Sequence, residues 1–333
     1  MSYADGVRAE DLADILERAQ ATRVVVAGDP CLDENVYGVV ESVAREAPVV
    51  ALEASDCVFA PGQAANVAAN AAALGAAVYF LGVAGDDEQR ARLVELLIGF
   101  GVDAGGLIAE GDRPTTHKVK FVTRDAQRHG QHVFHAYRQE RKAPAPGTLR
   151  RMRVLAADAL SEADAVVLSD YGNGTLTPGF AKWFIEKAAR RRLPSVANAR
   201  GELKKFRGAA AAVANMGELA TLSGAKAVAA GNVGAAMKAA AAALKVRYLV
   251  ITGGSEGMYV WPVRGRARHL ISAAAQITDV TGAGDTVTAA LAVALGAGKG
   301  LSKAAAFANL AAAAAVSREG TSPARAEELK RFL

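Results

Sequence analysis

The stretch Arg23-Val24-Val25-Val26-Ala27-Gly28-Asp29 limits what this chain can fold into more than any other. Its apolar residues follow one another with no polar alternation. An extended segment of that kind has no side to offer water, so it is read as a strand covered on both faces. Such strands belong to parallel sheets, and this one closes on Gly-Asp, with a loop at its C-terminal edge.

The rest of the chain repeats that unit. Residues 63–74 read as a helix ended by Gly75, 77–83 as a strand, and 88–100 as an amphipathic helix followed by Gly101. Strands are expected at 165–168, 195–197 and 247–252. Helices are expected at 178–191, 217–222 (short) and 232–244, and two alanine-rich ones at 283–295 and 302–316. Residues 1–20 read as an amphipathic helix with Leu12, Ile15 and Leu16 on one face. Alternation with short loops predicts a mostly parallel sheet with helices on both faces, in one domain over 1–333. Residues 36–59 and 115–137 break the rhythm with period-two alternation, Lys118 and Lys120 against Val119 and Phe121, and His129-Gly130 as a turn. They are expected to be antiparallel and to form one small β lid from two excursions. The alanines at 209–212 read as helix or turn filler.

Composition narrows the class. With 51% hydrophobic and 22% charged residues the 333-residue chain buries a large core, which excludes disorder. The balance of 39 basic against 34 acidic residues gives only +5, dispersed, so charge alone does not make a nucleic-acid binder. Cys31 and Cys57 are too few for a disulfide scaffold and suit a reducing compartment. The run at 304–316 is broken by Asn309 and too short to span a bilayer, and acids and arginines interrupt 1–20 where a signal peptide would be apolar. A cytoplasmic protein without membrane or nucleic-acid partners is expected.

Four segments carry possible chemistry. Asp279-Val280-Thr281-Gly282-Ala283-Gly284-Asp285-Thr286 enters an apolar helix. A helix start offers unpaired N–H groups and about half a unit of positive charge, and glycines let a phosphate come close. Asp285, set in that anion hole, can accept a proton from an attacking hydroxyl. The bland alternative is a glycine-rich turn with a helix-stabilising Asp. Pro61-Gly62-Gln63-Ala64-Ala65-Asn66 opens a helix with small residues and paired donors suited to sugar hydroxyls, or is an ordinary helix start. Asn215-Met216-Gly217-Glu218 sets two oxygen-bearing side chains one turn apart, able to hold hydrated Mg²⁺ beside phosphates, or forms an N-cap with a first-turn acid. Thr252-Gly253-Gly254-Ser255-Glu256-Gly257 suits a nucleotide-phosphate loop or a tight turn. Other templates fail. The P-loop is absent, the first strand ends in Gly-Asp-Pro and not Gly-x-Gly-x-x-Gly, and no zinc spacing occurs. His129, His132 and His135 read as a solvated strand face.

In this order, the Gly-Gln-Ala-Ala-Asn and Asp-Val-Thr-Gly-Ala-Gly-Asp segments resemble the two signatures of the ribokinase-like (PfkB) carbohydrate kinases, over nearly the whole chain. Within that family the chain is closer to the kinases that phosphorylate D-glycero-β-D-manno-heptose 7-phosphate at C1 in ADP-heptose synthesis. The carriers are Gly28-Asp29 with Leu32-Asp33, Glu46-Ala47-Pro48-Val49, Arg113-Pro114-Thr115-Thr116 with Lys118, Ser169-Asp170-Tyr171, and Ala308-Asn309-Leu310-Ala311-Ala312. No His-x-Gly-His nucleotidyltransferase motif follows, so a kinase-only form is expected.

The resemblance implies a Rossmann-like core with a β lid, a homodimer pairing lids, ATP and Mg²⁺ as cofactors with a monovalent cation as a further candidate, and a sugar phosphate as acceptor. It implies Asp285 as catalytic base, with Gly282, Ala283 and Gly284 as the anion hole. Asp33, Gly62, Gln63, Asn66 and Asp170 fall on the sugar side. Asn215, Thr252, Gly254, Gly257 and Asn309 would serve the nucleotide, and Glu218 would serve Mg²⁺ through water. For the acceptor's phosphate a cationic clamp is needed. Lys118, Arg138 and Arg200 are the candidates, while Arg113 shapes the turn before Pro114. Three departures fall on the substrate side: Asn173 for a lysine, Asn198-Ala199-Arg200-Gly201 for Asp-Pro-Lys-Gly, and His135-Ala136-Tyr137 for Arg-x-Asp. They leave two alternatives open: a kinase of an unphosphorylated sugar or nucleoside, and a catalytically weak sugar-phosphate binder on the kinase fold.

Overall fold

The computed structural model describes residues 8–125, 128–262, 265–274, 278–318 and 322–333. Helix α1 (Ala9–Ala19) leads into β1 (Arg23–Gly28). Then come β2 (Pro30–Val43), β3 (Val50–Gln63), α2 (Ala64–Ala73), β4 (Ala77–Ala84), α3 (Glu88–Gly99) and β5 (Val102–Ala109). The middle of the chain forms β6 (His117–Asp125), β7 (Arg128–Arg138), α4 (Pro146–Glu162), β8 (Ala165–Asp170), α5 (Pro178–Arg190), β9 (Ser195–Ala199) and β10 (Ala211–Asn215). The remainder gives α6 (Met216–Ser223), α7 (Val233–Leu244), β11 (Tyr248–Thr252), β12 (Met258–Pro262), β13 (Arg268–Leu270), α8 (Ala283–Gly296) and α9 (Leu301–Val316).

The large sheet has the order β13-β12-β11-β10-β9-β8-β1-β4-β5. Every pairing from β11 through β5 is parallel, and β12 and β13 add an antiparallel edge. Strand β1 alternates between two cores. Val24 and Val26 pack with α2, α8 and α9, and Val25 and Ala27 with α4, α5 and α7. The expected parallel sheet covered on both faces is therefore present, for the reason its apolar runs suggested.

Strand β10 corrects one expectation. The alanines read as filler run into a strand between β9 and β11, with Ala211 and Val213 facing one core and Ala212 and Ala214 the other. Alanine is a weak strand former, and burial between two helical layers overrides that preference.

A second sheet has the order β3-β2-β6-β7. It is mixed and not purely antiparallel, because β2 and β6 pair in parallel. Both leave the same C-terminal edge of the large sheet, β2 after β1 and β6 after β5, so they run outward in the same direction. Pairing of β2 with β3 continues down to Pro30 and Gln63, beyond the expected 36–59. His129-Gly130 is not the turn. Asp125 already pairs with Arg128, so the chain reverses before that dipeptide. The side chain of His129 lies outside the described residues, as do residues 1–7 of the expected N-terminal helix. Further along β7 the register slips: Phe121 faces Phe134 but Val122 faces His132, leaving Val133 as an extra residue. Among the described residues no helix is long and apolar enough to cross a membrane.

Candidate active site

Strand order reverses at β1, whose neighbours are β4 and β8. In open parallel sheets, ligands bind at the carboxyl ends beside such a switch point. Here the carboxyl ends of β1 and β8 are locked together. Asp29, fully buried, accepts backbone N–H bonds from Tyr171 (2.8 Å), Asn173 (3.0 Å) and Thr175 (3.0 Å). The loop after β8 is thereby wrapped around one carboxylate.

Asp285 sits in the first turn of α8, directly across this loop. Gly282 caps the helix at φ 82°, a left-handed conformation that costs glycine little. Asp285 is only 6% exposed. Asn66 donates to its Oδ2 at 3.0 Å and the Tyr171 hydroxyl to its Oδ1 at 2.5 Å. Burial pushes its carboxyl above the ordinary range, although both hydrogen bonds and the Arg200 charge oppose that rise. A carboxylate held in place with a raised proton affinity is suited to general-base work.

Two cavities, of about 210 and 340 Å³, meet at Asp285, Gly282, Thr281, Tyr171 and Arg200. The larger of the two falls within the scale of small-molecule sites. The smaller one lies under the second sheet. Across three strands Asp33, Lys118 and Tyr137 form one rung, and Asn35, Lys120 and His135 the next, and all six line the cavity. Lys120 Nζ pairs with Asp33 Oδ2 at 2.7 Å. Gln63 also lines it, at φ 55° and ψ −129°, a backbone region costly for any residue but glycine. Asn173 holds it there by donating to Gln63 Oε1 at 3.0 Å and to Thr116 Oγ1 at 3.2 Å. The residue standing where a lysine was expected thus braces a strained neighbour.

The larger cavity runs past Asn198, Asn215, Glu218 and Thr252. A third continues from Thr252 and Gly284 to Ala283, Gly254, Gly257 and Asn309. A Cβ on Gly257, at φ 91°, would come within 2.1 Å of Leu270 O, so the loop admits glycine alone. Asn309 donates to Ile271 O at 2.7 Å. Asn215 and Glu218 form a reciprocal capping box, with Glu218 N donating to Asn215 Oδ1 at 2.9 Å and Asn215 N to Glu218 Oε2 at 2.8 Å. Burial raises the Glu218 carboxyl. Among the described residues no three His, Cys, Asp or Glu side chains gather as a metal cage. A lone carboxylate beside a phosphate-sized space is the donor set Mg²⁺ uses, with phosphates and water completing its shell.

Asp33, Gln63, Lys118 and Arg200 of the expected sugar side line the smaller cavity, and three others do not. Asn66 is spent on Asp285. Gly62 leaves space for Asp33, since a Cβ there would fall 2.5 Å from Asp33 Oδ1. Asp170 is buried and ion-paired with Lys205, behind Tyr171, and burial pushes its carboxyl up. Arg138 does not line the cavity, and Arg113 is a buried partner of Glu110 at 2.9 Å. His132 and His135 are exposed, as a solvated strand face requires, and that face also lines the cavity. Lys120, Asn35 and the Tyr171 hydroxyl were missed. Period-two spacing places Lys120 beside Lys118, and that signal could have found it.

The sequence matches the family described as pfkB family carbohydrate kinase over residues 21–328. Bifunctional protein HldE of Halorhodospira halophila is 37% identical over 314 residues, 93% of this chain and 63% of that protein. Its namesake from Hahella chejuensis is 35% identical over 317 residues, 94% of this chain and again 63% of the relative. The chain therefore spans somewhat under two thirds of the length of these relatives. Among solved structures, Arabidopsis thaliana ribokinase complexed with ribose and ATP superposes with a TM-score of 0.70 at 23% identity, covering 93% of this chain and 98% of that one. Escherichia coli phosphofructokinase-2 in complex with substrates and products gives 0.76 at 18% identity, covering 93% and 97%. The fold is ribokinase-like.

Proposed function

This chain belongs to the pfkB family of carbohydrate kinases, phosphotransferases that use an alcohol group as acceptor, and we propose that it transfers the γ-phosphoryl group of ATP to the C1 hydroxyl of a sugar phosphate, D-glycero-β-D-manno-heptose 7-phosphate or a near relative. One observation carries this reading. Asp285 stands where an acceptor cavity rich in lysine, arginine and hydroxyl-binding groups meets a second cavity that leads to the 252–257 loop and Asn309.

Phosphoryl transfer asks for alignment and charge stabilisation more than covalent help. Asp33 and Gln63 would hold the sugar hydroxyls. Asp285, steadied by Asn66 and Tyr171, would take the proton of the attacking hydroxyl. The anomeric hydroxyl is the easiest to deprotonate, because the ring oxygen acidifies it. The N–H groups of α8 beyond Gly282 would face the charge that develops on the transferred group. Asn215, Thr252, Gly254, Gly257 and Asn309 would seat the nucleotide, and Glu218 would hold Mg²⁺ through water. Mg²⁺ supplies charge neutralisation on the phosphates. Lys118 and Arg200, neither in a close ion pair among the described residues, would supply positive charge for the acceptor's phosphate.

Asn173 favours a second reading, a kinase of unphosphorylated sugars, because that position brings no positive charge to the acceptor side. The intact arrangement around Asp285 opposes a merely binding role. An ADP-release assay across sugars and sugar phosphates decides between these. Turnover confined to sugar phosphates supports the proposal. Equal turnover of free sugars replaces it with the second reading, and no turnover of either leaves the binding role.

The second sheet exposes Val39 (48%), Val43 (62%), Val50 (51%) and Phe134 (61%). A small sheet with apolar residues in water calls for a cover, and we read it as a lid whose exposed residues meet those of a second copy. The unpaired thiols of Cys31 and Cys57 fit a reducing, cytoplasmic setting.

A further inference from the structure

His132, His135 and Tyr137 remain unassigned by the kinase mechanism, yet all three line the acceptor cavity. Strict alternation along β7 would put His135 and Tyr137 on the cavity face and His132 on the other. The extra residue Val133 cancels that parity and returns His132 to the cavity face, opposite Val122. Bulges beside active sites commonly re-aim a side chain in this way. The outcome is a continuous chain. His132 Nδ1 lies 3.0 Å from His135 Nε2, and His135 Nδ1 lies 3.0 Å from the Tyr137 hydroxyl. Lys118 Nζ stands 5.6 Å from the centre of the Tyr137 ring.

The charges facing this chain come from several neighbouring elements. Lys118 and Lys120 project from β6 and Asp33 from β2, while Tyr171, Arg200, Asp279 and Asp285 come from the core and its loops. Asp33 neutralises Lys120. Arg200 lies over the Tyr171 ring, 5.2 Å from its centre, beside Asp285. Lys118 is therefore the cation on the side of the wall that β7 builds, and Arg200 faces it from the core. The His135 imidazole touches a second imidazole and faces two lysines. Burial, His132 and Lys120 all push the His135 imidazole below its ordinary value. A phosphate dianion within hydrogen-bond reach reverses this balance, because it favours the imidazolium and gains charge-assisted bonds.

We propose that His132, His135 and Tyr137, with Lys118, form the wall that recognises the acceptor's own phosphate, the imidazole pair taking up one proton as the phosphomonoester dianion binds. This deepens the sugar-phosphate reading and rests on it. The sign follows from proton uptake. Affinity for the acceptor rises as pH falls from 8 toward about 6, where the phosphate itself begins to take its second proton. Turnover moves the other way, since Asp285 must be ionised to act.

The test is imidazole NMR on the full chain, titrated with inorganic phosphate and separately with glucose. Phosphate should shift the ring signals of His132 and His135 and move their titration to higher pH, and glucose should do neither. H135Q and Y137F should weaken phosphate binding roughly tenfold or more and flatten its pH dependence, with circular dichroism and ATP binding unchanged. Phosphate that leaves both rings unmoved overturns the proposal, as does an H135Q protein that folds and binds phosphate as tightly as the parent. Failure of the underlying reading looks different: free sugars would turn over as well as sugar phosphates while phosphate still titrates the pair.

Discussion

The Tyr171 hydroxyl and Asp285 Oδ1 lie 2.5 Å apart and 114 residues apart in sequence, so the loop after β8 and the first turn of α8 are joined at the carboxylate proposed as base. That bond favours the charged form of Asp285, against the burial that favours the acid. Tyr171→Phe removes the favourable part. The folded-state pKa of Asp285 should rise further, and the base is active only when deprotonated. The acid limb of the kcat–pH profile should therefore move to higher pH, with turnover recovering at alkaline pH. A limb that stays in place would show that Tyr171 does not tune the base.

Asp285→Asn keeps the shape of the side chain and removes the base. Turnover should fall roughly 10²–10⁴-fold, the usual share of a general base, while calorimetry still detects ATP binding. Near-normal turnover would refute the assignment.

Gly62→Ala places a methyl carbon 2.5 Å from Asp33 Oδ1, too close for both to stay. Asp33 must turn, and its ion pair with Lys120 breaks. The acceptor KM should rise at least about tenfold, the effect of losing one charge-assisted contact, with the KM for ATP unchanged. Equal effects on both substrates would mean a general distortion.

Lys118→Ala and Arg200→Ala remove the two cations offered to the acceptor's phosphate. Each should raise the KM for the sugar phosphate far more than that for ATP. If neither changes the sugar-phosphate KM, the charged-acceptor reading falls.

Light scattering at micromolar concentration should report a dimer, and Phe134→Asp should convert it to monomer by placing a charge in an apolar contact. A wild-type monomer at that concentration removes the role given to the exposed valines and Phe134.

The core was legible because its signals are local. An unbroken apolar run such as 24–27 has few alternatives to a doubly covered strand, and Gly282 with Gly284 announces a loop turning into a helix. Strand β10 was not legible, since an alanine run reads as helix until two layers are known to press on it. Asp33, Gln63 and Asp285 could be named from their motifs. The work of Asn66, Gly62 and Asp170 could not, because each acts on a residue distant in sequence: Asn66 on Asp285, Gly62 on Asp33, and Asp170 on Lys205. His132 was hidden for another reason. Its orientation depends on one surplus residue in β7, and alternation counted along the sequence assigns it to the wrong face.

The cavity proposed for the acceptor is walled by two sheets that are hydrogen-bonded separately. Asp285, Tyr171 and Arg200 belong to the large sheet and its loops, and Lys118, Lys120, His135 and Tyr137 to the small one. The bonds that hold Asp285 come from Asn66 and Tyr171, neither of them on β6 or β7, while His135 and Tyr137, where the resemblance expects arginine and aspartate, lie on β7. A protein engineer seeking a new sugar for this scaffold would randomise those two strands and leave the large sheet untouched.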